Sequence, residues 1–200
     1  MTPYENTLHQ VCLNQGGHSG VQVHESTEVI LFWPDGWTPQ WYVESQVSTP
    51  AGMVQWLDKA YQTMVGWTDV NPNDHYQRKN GVRNRLCFVC NGKGDFVFGG
   101  VLRPYIGLRD GRNPVAGSED WFGWLCHELA HDFFHEPRLV QDFEPWGDGM
   151  CDYSRTNLLM ELGMPVASTR FKNSNIQRSD RYGRPAKLLF DYEKQKGIAG

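Results

Sequence analysis

Residues Trp121–Glu136, WFGWLCHELAHDFFHE, constrain the fold more than any other stretch of this chain. Trp121, Phe122, Trp124, Leu125, Leu129, Ala130, Phe133 and Phe134 read as one helix that is apolar on nearly every side. Such a helix is stable only where other elements cover it. The chain must therefore place a sheet or further helices around it. Ser118 can cap this helix, and Glu119 and Asp120 fall in its first turn, where the helix dipole favours carboxylates. In the middle of the dry surface stand His127, Glu128 and His131.

His127-Glu128-Leu129-Ala130-His131 matches H-E-x-x-H. On a helix, positions four apart differ by about 40° in azimuth and by one turn along the axis, so both imidazoles can reach one metal ion. Glu128 is turned about 100° away and can address a water activated by that ion. A carboxylate on a buried helix costs several kcal/mol unless a cation or a partner compensates it. The plainer alternative, two core histidines and a structural ion pair of Glu128, must explain three polar residues coinciding on a dry helix.

A catalytic zinc takes a third protein ligand and leaves its fourth position to water. His135 lies two turns from His127, about 12 Å along the axis, too far to close the same tetrahedron. A third histidine six residues after His131 is excluded, because that position is Pro137. Asp148-Gly-Met-Cys-Asp152-Tyr-Ser-Arg155 opens a further helix that reads to about Gly163 and Pro165. Asp148 and Asp152 share a face of it. Asp148 is the first choice as metal ligand, with Asp152 hydrogen-bonded to a liganding imidazole to fix its tautomer. Glu144 and Asp142, in what reads as an irregular loop, come second.

The rest of the chain is ordinary. Two hundred residues, 40% hydrophobic and 21% charged, suit a single globular domain over 1–200, with 1–20 weakly patterned enough to form a loosely attached arm. A net charge of −4 gives no electrostatic reason to bind nucleic acid. No apolar run approaches the roughly 18–20 residues of a membrane span. Met1–Gln10 shows no signal peptide, which implies a cytoplasmic protein, or a secreted one if a leader has been removed. Five cysteines are no disulfide framework. Cys87 and Cys90 fall in a strand pattern with their thiols on opposite faces, so C-x-x-C reads as packing; Cys126 and Cys151 could meet as thiols or as a disulfide.

Glu28–Trp33, Trp41–Val47, Arg85–Cys90 and Asp95–Phe98 read as strands, and Val101–Leu108 as an extended piece. Asn91–Gly94 suits a hairpin, and Asn71–Gly81 a polar loop. Thr49 and Pro50 open a helix whose apolar positions run from Met53 to Val65. Helices near 118–134, 148–162 and 185–196 follow, so the class is α+β. The basic stretch from Arg170 to Lys187 reads as a solvated loop.

HELAH followed by DGMCDYSR resembles the gluzincin class of zinc metallopeptidases, and in pattern the plant-type basic secretory protein family. Tyr182-Gly-Arg-Pro-Ala-Lys-Leu-Leu-Phe-Asp-Tyr192 resembles that family's C-terminal aromatic segment. The likeness implies a zincin-like fold, a twisted sheet whose edge strand borders the cleft, and peptidase activity. Two features depart from the family. Asp148 is one methylene shorter than the family's glutamate, so its helix must approach more closely or another residue must serve. The chain is also mildly acidic, with a pI of about 6.0.

The expectation is thus a monomeric zinc metallopeptidase, an endopeptidase, acting on a peptide or protein with no nucleic acid or membrane partner. His127, His131 and Asp148 hold Zn²⁺ and Glu128 is the base. Tyr182 is the first choice to stabilise the oxyanion, with Tyr153 and Tyr105 as alternates. Phe98–Ile106 could pair with a peptide backbone as an added strand. The rivals are a zinc hydrolase of a non-peptide amide and a metal-retaining binding module.

Overall fold

A computed structural model describes residues 1–16, 19–38, 47, 49–90, 98–99, 105–108, 118–134 and 144–163. Five helices and five strands lie within them: α1 (Pro3–Gly16), β1 (Val21–Glu25), β2 (Val29–Pro34), α2 (Pro50–Thr68), α3 (Pro72–Asn80), β3 (Leu86–Cys90), β4 (Phe98–Gly99), β5 (Tyr105–Leu108), α4 (Ser118–Phe134) and α5 (Glu144–Glu161). The strands form one mixed sheet in the order β1-β2-β3-β5-β4. Central β2, β3 and β5 run parallel, and the edge strands β1 and β4 are antiparallel to their neighbours. The α+β class follows from this arrangement.

Every residue of β2 and β3 is buried, because helices cover both faces of the sheet. Val29, Leu31, Trp33, Leu86, Phe88 and Cys90 face the larger core, built with α2, α4 and α5. Ile30, Phe32, Cys87 and Val89 face a smaller one, closed by Leu8 and Cys12 of α1. Cys87 and Cys90 thus point to opposite faces. All five cysteines are free thiols and buried, which settles Cys126 and Cys151 as thiols.

Pro3–Gly16, expected within a loosely attached arm, form α1 and pack against the sheet. Thr2 and Glu5 make a capping box: the Thr2 N–H donates to the Glu5 carboxylate at 2.8 Å, and the Glu5 N–H to the Thr2 hydroxyl at 3.2 Å. The buried Glu5 carboxylate also takes the Arg85 guanidinium at 3.0 Å, pinning α1 to the start of β3.

Helix α2 has the expected cap, with the Thr49 hydroxyl accepting the Gly52 N–H at 2.9 Å. The polar loop expected over Asn71–Gly81 is instead α3. Asn71 caps it, Pro72 opens it, and Gly81 at φ +76° ends it. Glu28 joins this helix to the sheet: its carboxylate accepts from Asn73 Nδ2 at 2.6 Å and from Arg83, which also holds Asp74 at 2.8 Å.

Helix α4 has the bounds expected from its sequence. Phe122, Leu125, Cys126, Leu129, Ala130 and Phe133 are buried in the larger core. Ring contacts of Trp56 with Phe122 and of Tyr61 with Phe133 seat α4 on α2. Gly123, near the start of α4, meets Arg155 and Leu159 toward the end of α5. With only residues 135–143 between the two helices, that contact runs them antiparallel, the start of α5 beside the second half of α4. Helix α5 begins at Glu144, four residues before the expected Asp148; Pro145 is tolerated in a first turn.

The stretch Phe98–Ile106 is not one extended piece. It contributes β4 and part of β5, paired antiparallel, and β5 lies inside the sheet with both edges used. Strand β4, like β1, stands at an edge of the sheet formed by the described residues, and it lies against α4. The expected strand over Trp41–Val47 lies outside the described residues except for Val47, which is buried. The expected helix over 185–196 and the basic stretch from Arg170 also lie outside them. Among the described residues, no helix is long and apolar enough to cross a membrane.

Candidate metal centre

The middle of α4 brings together His127, Glu128 and His131, with one donor atom from each inside a 4.8 Å cluster. His127 is 6% exposed, and Glu128 and His131 are half-buried. The Nε2 atoms of the two histidines stand 3.0 Å apart, with ring centroids separated by 4.7 Å and planes at 78°. Two nitrogens bound to one tetrahedral ion at about 2.0–2.1 Å would be roughly 3.3 Å apart. The observed gap therefore matches, within a few tenths of an ångström, two ligands aimed at one point. The donor set, two imidazoles beside a carboxylate, fits a divalent transition metal such as zinc.

Two neighbours were not anticipated from sequence. Asp132 lies one turn after Glu128 on the same face of α4 and is 5% exposed. Its charge reaches Tyr61 of α2. Burial pushes the Tyr61 hydroxyl well up, the Asn73 N–H draws it partly back, and Glu28 and Asp132 add to the rise. Tyr61 therefore stays a neutral donor, bonded to Asn71 Oδ1 at 2.8 Å. The second neighbour is Arg155. Burial drives the Cys126 thiol far above its usual range, and the Arg155 charge opposes that rise from α5. A carboxylate four residues after Glu128 was the available signal for Asp132. Arg155 had none, since its approach to α4 is a matter of helix packing.

The remaining expected site residues are located less fully. Asp148, Asp152 and Glu144 are positions of α5, and Tyr105 a position of β5, but their side chains lie outside the described residues. Tyr153 is half-buried on α5, and its carbonyl accepts from Asn157 Nδ2 at 3.2 Å. Tyr182, Asp142 and His135 lie outside the described residues.

No protein-family model matches the sequence, and no curated protein matches it. Two solved structures share the fold, those of a functionally unknown conserved protein from Bacillus anthracis str. Ames and of a mutant of that protein. Each superposes with a TM-score of 0.56 at 10% sequence identity, over 90% of this chain and 39% of the solved one. The chain therefore spans about two fifths of the length of these structural relatives. At that identity the likeness is one of fold. The metal-binding geometry rests on this chain's own residues.

Proposed function

We propose that this chain is a zinc-dependent peptidase of zincin-like fold, with α4 as its active-site helix. The observation that carries the reading is the convergence of two Nε2 atoms at 3.0 Å beside Glu128 on a helix otherwise sunk in the core. His127 and His131 would hold the ion. Bound there, zinc supplies Lewis-acid polarisation of the scissile carbonyl and raises the acidity of a water. Glu128 takes the proton from the attacking water and returns it to the leaving nitrogen, the ordinary work of a carboxylate base. Tyr182 is assigned the hydrogen bond to the developing oxyanion. Strand β4, at the edge of the sheet formed by the described residues, is assigned the pairing with an extended peptide.

Asp148 is assigned as the third metal donor, and Asp152 as the carboxylate that orients a liganding imidazole. Helical phase supports both. Positions 148, 152, 155 and 159 share one face of α5, and Arg155 and Leu159 meet α4 at Gly123. One and two turns on from Gly123 are His127 and His131, and stepping back along α5 from Arg155 reaches Asp152 and then Asp148. In antiparallel helices these turns lie side by side. Glu144 falls one turn further back, past the end of α4 at Phe134.

The test is metal stoichiometry of the purified protein together with cleavage of a peptide library, for the native chain and for Glu128→Gln. One zinc per chain and peptide cleavage are expected. Glu128→Gln should keep the zinc while cleavage falls at least about 100-fold. Zinc without any cleavage in the native chain would favour a binding module instead. Cleavage confined to non-peptide amides would favour the other hydrolase. For the third donor, Asp148→Ala should strip zinc far more readily than Glu144→Ala.

A further inference from the structure

Asp132 carries a carboxylate into the core, 5% exposed, one residue after His131. At about 100° per residue, His127, His131, Glu128 and Asp132 follow one another around α4 within an arc of about 140°. The buried apolar residues Phe122, Leu125, Cys126, Leu129, Ala130 and Phe133 fill the rest of the circumference. His127 and Asp132, the two ends of the arc, are buried, and its middle, His131 and Glu128, is half-buried. The Asp132 charge also reaches Tyr61 of α2, whose ring packs on Phe133. Asp132 is not among the donors of the 4.8 Å cluster, so it can act on an ion there only through its charge.

Like charges four apart on a helix repel, and burial disfavours an ionised carboxylate. Glu128 and Asp132 meet the first condition and Asp132 the second. A dication beside them offsets both, because its field acts through surroundings less polar than water. We propose that Asp132 is the buried counter-charge of the metal centre, a residue that strengthens the hold on a divalent cation without ligating it. This deepens the metal reading of His127 and His131 and rests on it. The carboxylate works against the metal-free fold and in favour of the metal-bound one. Removing its charge must therefore act with opposite sign on the two states.

The test uses the full chain at pH 7. Zinc affinity is measured by competition against a chromophoric chelator, and the thermal midpoint in excess chelator. Asp132→Asn keeps the shape of the side chain and removes its charge. It should weaken zinc binding about 10- to 100-fold, the range for groups just beyond a metal's ligands. Its metal-free midpoint should stay at or above that of the native chain. Asp132→Glu, which keeps the charge, should retain most of the native affinity. A polar group with a merely structural role would instead lower the metal-free midpoint. Native affinity in Asp132→Asn, a fall of affinity and midpoint together, or equal losses of affinity in the Asn and Glu variants overturns the proposal. If Asp132→Glu does not fold, the opposed signs in Asp132→Asn decide. Loss of zinc in His131→Ala beside native affinity in Asp132→Asn refutes only the counter-charge, whereas zinc retained in His131→Ala refutes the metal centre beneath it.

Discussion

Glu5 shows how one side chain can bind a terminal helix to a sheet. Burial on its own would raise its carboxyl pKa, but hydrogen bonds from Arg85 and from the backbone of Thr2 and Arg85, with the Arg85 charge, hold it below its ordinary 4.5. A carboxyl depressed in the folded state adds stability at pH values above its unfolded pKa and loses it as pH falls through the folded value. Glu5→Gln should therefore cost roughly 1.5–3 kcal/mol at pH 7, the worth of hydrogen bonds to a charged group. The difference from the native chain should shrink once pH drops below about 4.5. Urea melts of both proteins between pH 7 and pH 3 measure it. A constant difference across that range would show that packing, not charge, accounts for the loss. The same scale holds the most legible part of the centre. His127 and His131 are four apart in one helix, so their meeting depends on a local period and nothing distant.

At the scale of elements, α2 and α4 could be read in advance because cap, apolar period and end signals agree along each. The cap of α2 carries its own test. Thr49→Ala should cost about 1 kcal/mol, and Thr49→Ser should restore most of it, since the hydroxyl that takes the Gly52 N–H is kept. Equal losses in the two variants, by urea denaturation, would assign the effect to the Thr49 methyl group. Helix α3 escaped because its sequence, PNDHYQRKN, has no apolar face to show a period. Its stability comes from caps and from the Glu28–Arg83–Asp74 chain, partners remote in sequence. Helix α1 escaped for a related reason. Its buried contacts, Leu8 and Cys12, are few, and their partners Ile30, Phe32, Cys87 and Val89 belong to a sheet face that no local pattern reveals.

Over the whole molecule, α4 packs against α2, β4 and α5, so an ion held by His127 and His131 would be linked to the stability of the fold. Zinc that binds only the folded chain should add about 2.7 kcal/mol at a hundredfold excess over its dissociation constant. Thermal melts with and without chelator should show that gain in the native chain and in Glu128→Gln, and lose it in His131→Ala. A gain that survives His131→Ala would mean that zinc acts elsewhere. The sequence alone determined the elements whose signals are local: the buried helix 118–134, the capped helix after Thr49, the strands near Glu28–Trp33 and Arg85–Cys90, and the grouping of His127, Glu128 and His131. Tertiary structure alone decided the strand order, with β5 between β3 and β4, and the seating of α1. It also decided the close approach of α5 to α4 at Gly123. Each of these depends on which distant surfaces cover one another, and a helix or strand carries the same local signal whichever neighbour it meets.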